Sequence, residues 1–203
     1  MSPVGPYYPE GFAPVKLYAD RQHVRAWPGG TGDKKVGGNY GPTIRPQILA
    51  AQRGYSQVLW LADGKGGPFV TEVGTMNFFA FWTNKDGEKE LVSPALDGTI
   101  LPGVTRRSVL DLAREAGEYK VTERAISIHE LLDAQREGRL HEAFGTGTAV
   151  VVSPIKCIHY DGQDYDVPID TECGAGPLTQ WMWDNITGIQ TGKIERPDWS
   201  IVL

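Results

Sequence analysis

The order of strand-like and helix-like segments is the feature that most limits how this sequence can fold. Short apolar or alternating runs predict β-strands at residues 57–63, 69–73, 77–84, 89–94 and 119–126, two strands around a glycine turn at 142–155, and a hairpin at 159–167. Helical periodicity predicts helices at residues 42–54, 104–117, 127–138 and 176–192. Strands and helices mix without strict βαβ alternation, so the pattern favours an α+β fold over a doubly wound sheet.

Two of the helical segments carry more detailed signals. In the first helix, Ile44, Ile48 and Leu49 form an apolar side. At the start of the third, Ser127 is followed three residues later by Glu130, which predicts a capping box. Both segments are therefore predicted to be helical, with these residues fixing the orientation and the first turn.

Composition and charge exclude several classes of function. The 203 residues carry a formal net charge of −5, so the chain has no excess of basic residues that would attract nucleic acid. No apolar run approaches the roughly 18 residues of a membrane span, and the first residues lack the pattern of a secretory signal. The four histidines and the two cysteines, Cys157 and Cys173, have no metal-ligand spacing. We therefore expect an intracellular protein with free thiols, no metal, and no nucleic-acid or membrane partner.

The segment GGTGDKKVGGNYG, residues 29–41, contains six glycines around two adjacent lysines, Lys34 and Lys35. Glycine loses more conformational freedom on folding than other residues, so such a cluster marks tight turns or a close backbone approach to a ligand. The run does not match the GxxxxGK[ST] order of a P-loop. A lysine held there is a surface charge, a phosphate contact or an amine that attacks a carbonyl. The segment by itself leaves these three roles open.

Four motifs, taken in their order along the chain, favour one of these three roles for the lysine, because together they resemble a known family. Lys35 with VGGNYG is followed by TEVGTMNFF, then ILPGVTR, then FGTGTA. Together they closely resemble the branched-chain amino acid aminotransferases, which use pyridoxal 5′-phosphate (PLP) and have the fold-type IV architecture. The resemblance extends from Pro3 to Leu203. It implies the large C-terminal domain of that fold, a mixed sheet or pseudo-barrel flanked by helices, and reversible transamination between leucine, isoleucine or valine and 2-oxoglutarate.

The same resemblance implies a role for several side chains around the ring of the cofactor. Lys35 matches the lysine that forms the Schiff base with PLP and then moves a proton between Cα and C4′, while Lys34 is expected to be a surface residue. Tyr40 corresponds to the tyrosine that contacts the phenolic oxygen. Glu72 corresponds to the carboxylate beside the pyridine nitrogen, where a negative charge keeps the ring an electron sink.

The phosphate and the substrate are assigned by resemblance as well. Gly103, Val104 and Thr105 open a helix whose N-terminal N–H groups suit an anion, and Thr148 resembles a second phosphate contact. Leu101 is expected against the pyridine face, with Arg25 and Arg106 supporting the lysine or phosphate region. The substrate contacts implied by the family are Tyr7, Thr75 and Ala149.

Full-length relatives carry a further N-terminal domain, so we expect residues 1–15 to be an interdomain connection and residues 16–203 the C-terminal PLP-binding domain. The family also implies a homodimer, in the cytoplasm or the mitochondrion. Two alternatives stay open at this point. The chain is either a weakly active or inactive enzyme, or a non-catalytic PLP-binding or dimerisation module. Its chemistry is either that of the branched-chain group or that of a relative such as D-amino acid aminotransferase or aminodeoxychorismate lyase.

Overall fold

The computed structural model describes residues 12–64 and 67–200. Within them the chain forms nine β-strands: Val15–Asp20 (β1), Gln57–Gly64 (β2), Gly67–Val73 (β3), Met76–Thr83 (β4), Lys89–Ser93 (β5), Lys120–Glu123 (β6), Leu140–Gly147 (β7), Val151–Tyr160 (β8) and Gln163–Asp166 (β9). The α-helices of the same part are Gly37–Tyr40 (α1), Ile44–Gln52 (α2), Val104–Ala116 (α3), Ile128–Arg136 (α4) and Pro177–Gln190 (α5). A 3₁₀ turn, Gly41–Thr43, joins α1 to α2.

Six of these strands form a closed ring. The order is β3-β2-β1-β8-β7-β4, and β4 pairs again with β3. This β3–β4 seam consists of two residue pairs, Glu72 with Asn77 and Val73 with Met76. Strands β5 and β6 extend from β4, and β9 pairs with β8. Because β1 is parallel to both neighbours whereas the other ring contacts are antiparallel, the sheet is mixed, and the predicted α+β fold with a pseudo-barrel is confirmed.

The run FFAFW, residues 78–82, is continuously apolar because β4 is buried on both faces. Neighbouring side chains of a strand point to opposite faces, and Phe78 and Phe79 accordingly belong to two different cores. Phe78 lies in the core shared by the ring strands and α4, where Leu131 is fully buried. Phe79 stacks on Phe144 of β7, at 5.2 Å between ring centroids, in a second core covered by α3 and α5. The two cores therefore fix β4 and β7 between the ring interior and the helices.

The helix predicted over residues 42–54 exists but packs differently from its apolar pattern. Ile44 is 61% exposed and Ile48 is 52% exposed, so the apolar side does not face the sheet in this chain. Helix α2 instead packs through the small residue Ala50 against Val58 and Trp60 of β2. The buried side of α2 is therefore the one that carries Ala50, which is 1% exposed.

The predicted capping box at α4 is half correct. Ser127 is the N-cap and its hydroxyl accepts from the His129 N–H at 3.2 Å. Glu130 does not return to the Ser127 backbone; its carboxylate pairs with Arg124 at 2.8 Å. An ion pair with a guanidinium has displaced the reciprocal bond of the box.

Both thiols are free in the structure, Cys157 buried and Cys173 exposed, as expected from the sequence. The helices among the described residues are too short or too polar to cross a membrane. In the same part of the chain no group of three or more His, Cys, Asp or Glu side chains is arranged to hold a metal ion.

Candidate active site

A cavity of about 260 Å³ opens where the glycine-rich segment, the start of α3 and the ends of β4 and β7 meet. These elements are distant in sequence, and the ring brings them together because β4 and β7 are neighbours and α3 packs against β7. Eight residues that the sequence singled out lie in its wall: Lys35, Thr75, Leu101, Gly103, Val104, Thr105, Thr148 and Ala149. The structure therefore gathers residues of all four motifs around one cavity.

The glycine-rich segment presents one lysine to this cavity and ties down the other. Lys34 Nζ lies 2.6 Å from Asp33 Oδ2, whereas Lys35 lines the cavity, is exposed, and forms no ion pair with any residue that the structure describes. Asn39 is buried, and its amide donates to the carbonyls of Thr31 at 2.6 Å and Lys34 at 2.7 Å. These bonds fix the backbone immediately before Lys35.

Gly32 shows why this segment needs glycine. A Cβ atom at this position would overlap with the backbone of Thr99, and the next amide, Asp33 N–H, donates to Gly98 O at 3.1 Å. The segment thus lies directly on the loop that leads to α3, closer than any side chain would allow. The contact holds the lysine and the helix N-terminus at a fixed spacing.

A buried ion pair lies behind the cavity wall. Arg25 Nε is 2.6 Å from Glu72 Oε2, and both side chains are almost completely buried. The same guanidinium donates to Gly32 O at 3.2 Å and Thr99 O at 3.0 Å, and it lies over the ring of Tyr40 at 5.7 Å. Arg25 therefore links the lysine segment, the loop before α3 and strand β3 through one cation.

Glu72 and Tyr40 are not in the cavity lining; Glu72 bonds two residues that are, and Tyr40 lies against Arg25. Glu72 Oε1 accepts from the Leu101 N–H at 2.9 Å and from Asn77 Nδ2 at 3.2 Å. Burial raises the pKa of Glu72 to about 7, and the charge of Arg25 and the N–H of Leu101 oppose that rise. Burial therefore outweighs these two favourable interactions, and a further cationic partner would favour the charged form of the carboxyl group.

This pKa gives a testable pH dependence of stability in the unliganded protein. A carboxyl group whose pKa is higher in the folded than in the unfolded state binds its proton more tightly when folded, so its contribution is complete below about pH 4.5 and is lost as the pH rises through about 7. We expect the free energy of unfolding of the wild type to fall relative to Glu72→Gln by up to about 3 kcal/mol between pH 5 and pH 8. Urea titrations at four pH values measure it; a difference that is constant or grows with pH contradicts it.

The N-terminus of α3 forms another wall. Gly103 is the N-cap and offers no side chain to the first amides, and the first helical bond runs from Arg107 N to Gly103 O. Val104 and Thr105 of the first turn line the cavity, and the N–H groups of a first helical turn have no partner within the helix and lie at the positive end of its dipole. A Cβ atom at Gly103 would overlap with Asn77 Oδ1, so glycine is required here for the close approach of β4.

Two polar side chains in the wall were given no individual role from the sequence, although both lie inside the motifs. Asn77 donates to Leu101 O at 2.8 Å as well as to Glu72, and so joins β4 to the loop before α3. Thr146 is 1% exposed and lines the cavity. The signal available for both was a polar residue at the end of an otherwise buried apolar strand.

The other predicted residues have different positions. Arg106 is buried and bonds Pro94 O at 2.9 Å and Glu123 Oε2 at 2.8 Å, so it supports the loop after β5 and strand β6. It is not in the cavity lining, because its side chain leaves α3 on the side of these partners. Tyr7 lies outside the described residues.

The closed mixed sheet and its cavity are features of one class of protein. Comparison with known proteins identifies that class. Residues 5–158 match the family model described as amino-transferase class IV, and the chain belongs to this family. It is 57% identical over 203 residues to a branched-chain-amino-acid aminotransferase of Dictyostelium discoideum, a match that covers 100% of this chain and 52% of the relative. The chain thus spans about half the length of the curated relatives it matches.

Solved structures agree on the fold. The branched-chain amino acid aminotransferase of Escherichia coli superimposes with a TM-score of 0.75 at 28% identity, covering 98% of this chain and 59% of that one. The branched-chain aminotransferase of the thermophilic archaeon Thermoproteus uzoniensis, solved with norvaline, gives a TM-score of 0.73 at 27% identity, with coverage of 96% and 56%. Both likenesses extend over the ring and its helices, the part that builds the cavity.

Proposed function

We propose that this chain is the cofactor-binding half of a branched-chain amino acid aminotransferase. With PLP, it would transfer the amino group between leucine, isoleucine or valine and 2-oxoglutarate. The observation that carries the proposal is the meeting, in one cavity, of an uncapped helix N-terminus and a lysine without an ion-pair partner among the described residues. An amine is what a cofactor aldehyde needs, and a helix N-terminus is what its phosphate needs.

The residues present fit the cofactor. Lys35 supplies the amine, the first turn of α3 and Thr148 supply donors for a dianion, and Leu101 supplies an apolar surface for a ring. The buried carboxyl group of Glu72, with its raised pKa, is suited to a protonated ring nitrogen, which would restore its charge balance. The hydroxyl of Thr146 is buried in the wall without a protein partner among the described residues, which also favours a polar occupant.

Bound PLP would supply a reactive carbonyl and an electron-withdrawing ring. The residues of the chain then divide the remaining work. Lys35 Nζ would act as the nucleophile and later carry the proton, and the side-chain amide of Asn39 holds the backbone that leads to Lys35. Arg25 holds Glu72 and the lysine segment together. Thr75 and Ala149, with Tyr7, are proposed as the contacts that orient the substrate.

The proposal extends to organisation. We assign residues 1–15 to an interdomain connection and residues 16–203 to the C-terminal domain, because relatives named branched-chain-amino-acid aminotransferase are about twice as long. A homodimer, as the family implies, is part of the same proposal. The compartment, cytoplasm or mitochondrion, stays a prediction.

The test combines binding with turnover. Purified protein saturated with PLP is expected to show a visible absorption band that borohydride removes, with a phosphopyridoxyl group on Lys35 by peptide mapping. Leucine with 2-oxoglutarate should then give glutamate, whereas D-alanine should not. An adduct on Lys34, or no adduct at all, would contradict the assignment of the cavity, and turnover of D-alanine alone would contradict the substrate class.

A second candidate is PLP binding without turnover. It is favoured by the exposure of Lys35, since an open site admits water and orients substrate poorly. A stable adduct on Lys35 without glutamate formation would select this candidate. The two functions therefore separate in the same experiment.

A further inference from the structure

We infer that the hydroxyl of Thr146 is an additional phosphate contact of the cavity. This inference rests on the proposed function. The resemblance of the four motifs gave this side chain no role. The inference assigns it to the phosphate of the ligand and not to the ring.

The first argument is the state of the hydroxyl itself. Thr146 Oγ1 is buried and makes no hydrogen bond to the part of the chain that the structure describes. Two other buried threonine hydroxyls are paired, since Thr71 donates to Trp60 O at 3.0 Å and Thr179 to Glu142 Oε2 at 2.7 Å, whereas the hydroxyl of Tyr119, which is outside this cavity, is also without a partner among the described residues. An unpaired buried hydroxyl is unfavourable, so its retention in a cavity wall indicates a partner that the ligand brings.

The second argument is position. Thr146 lies directly opposite Asn77 in the antiparallel ladder of β4 and β7, so their side chains are neighbours on the same face. The Asn77 amide adjoins Gly103, the N-cap of α3, and donates to Leu101 O. Thr146 is therefore next to the start of α3, where the helix dipole and the free N–H groups favour an anion.

The third argument is chemical fit. A threonine hydroxyl rotates to suit its partner, and it donates well to a charged oxygen. Thr148, two residues later, also lines the cavity. Together with the amides of the first turn of α3, the two threonines would give a phosphate donors from two elements of the fold.

Stability of the unliganded protein provides the first test. Thr146→Val removes only a hydroxyl without a partner among the described residues, so it should unfold at the same or a higher temperature than the wild type. Thr71→Val is the matched control, because it removes a hydroxyl that is bonded, and it should unfold at a lower temperature. Equal destabilisation by the two substitutions would show that Thr146 has a structural partner and would overturn the inference.

Ligand affinity provides the second test, with PLP and pyridoxal, which lacks the phosphate, as the probes. Thr146→Val should weaken PLP about tenfold or more, because a hydrogen bond to a charged group is lost. It should leave the affinity for pyridoxal unchanged, and Thr146→Ser, which keeps the hydroxyl, should restore binding of PLP. Stabilisation by inorganic phosphate should also be smaller in Thr146→Val than in the wild type.

The outcomes separate this inference from the proposed function. Wild-type protein that binds PLP, with an equal affinity in Thr146→Val, overturns the inference alone. Equal weakening of PLP and pyridoxal overturns it too, since the hydroxyl would then contact the ring. Failure of the wild type to bind PLP overturns the proposed function and this inference with it.

Discussion

Replacing Lys35 with alanine is expected to abolish transamination, with a fall in kcat of at least about 10³-fold in the PLP-saturated protein. Under the proposed function, the substitution removes the amine that would react with the cofactor and also the group that would carry the proton, and loss of a positioned acid–base group alone typically costs about 10² to 10⁴ in rate. Leucine-dependent glutamate formation measures the rate. The absorption spectrum should lose the band that borohydride removes.

Lys34→Ala is the matched control for that substitution. Lys34 precedes Lys35 directly but pairs with Asp33 on the exposed side, 65% of its side chain being accessible. We expect its kcat to stay within about twofold of the wild type, because an exposed ion pair contributes little to stability or shape. Equal losses in the two variants would mean that the segment as a whole, and not the Lys35 amine, carries the activity.

Replacing Arg25 with methionine is expected to lower the free energy of unfolding by about 3–5 kcal/mol, the typical result of removing one partner of a buried ion pair. The substitution leaves the Glu72 carboxyl without its counter-charge and leaves Gly32 O and Thr99 O without their donor. Urea unfolding at pH 8 measures the change. The same variant should raise the pKa of Glu72 further, because the opposing charge is gone.

Arg107→Met is the surface control for the Arg25 substitution. Its side chain is 83% exposed and lies 3.6 Å from Asp111 one helical turn away. Loss of such a pair changes stability by less than about 1 kcal/mol. If Arg25→Met were as mild as Arg107→Met, the buried guanidinium would not link the segments around the cavity as the distances indicate.

Much of the fold could be predicted from the sequence because the strands are short, strongly apolar and separated by glycine turns. The continuous run around Phe78 and Phe79 predicted a strand correctly, and burial on both faces explains why it does not alternate. The orientation of α2 could not be predicted, because the apolar side at Ile44 and Ile48 is exposed and Ala50 makes the contact. An apolar pattern indicates a preferred face, but it does not identify which surface covers that face.

Site residues that lie inside sequence motifs could be predicted. Contacts that form only when distant segments fold together could not. Lys35, Gly103 and Thr148 lie inside motifs, and the structure brings them to one cavity. The ion pair of Arg25 with Glu72 joins residues far apart in sequence, and nothing local marks them as partners. The raised pKa of Glu72 likewise follows from burial, which exists only after β3 has closed on β4.

The β3–β4 seam closes the ring through a short contact between two strands that are adjacent in sequence. Only two residue pairs close it, and they flank the Gly74–Thr75 turn, whereas β2 and β3 share five pairs. Breaking the seam would separate Glu72 from Asn77, which lies in the cavity wall. Backbone amides beside the seam should therefore exchange their hydrogens with solvent through a local fluctuation, at a lower free energy than amides in the middle of β4. A ligand that bridges Lys35 and α3 would slow that exchange. Hydrogen exchange of the backbone amides at the β3–β4 seam would therefore report whether the cavity is occupied.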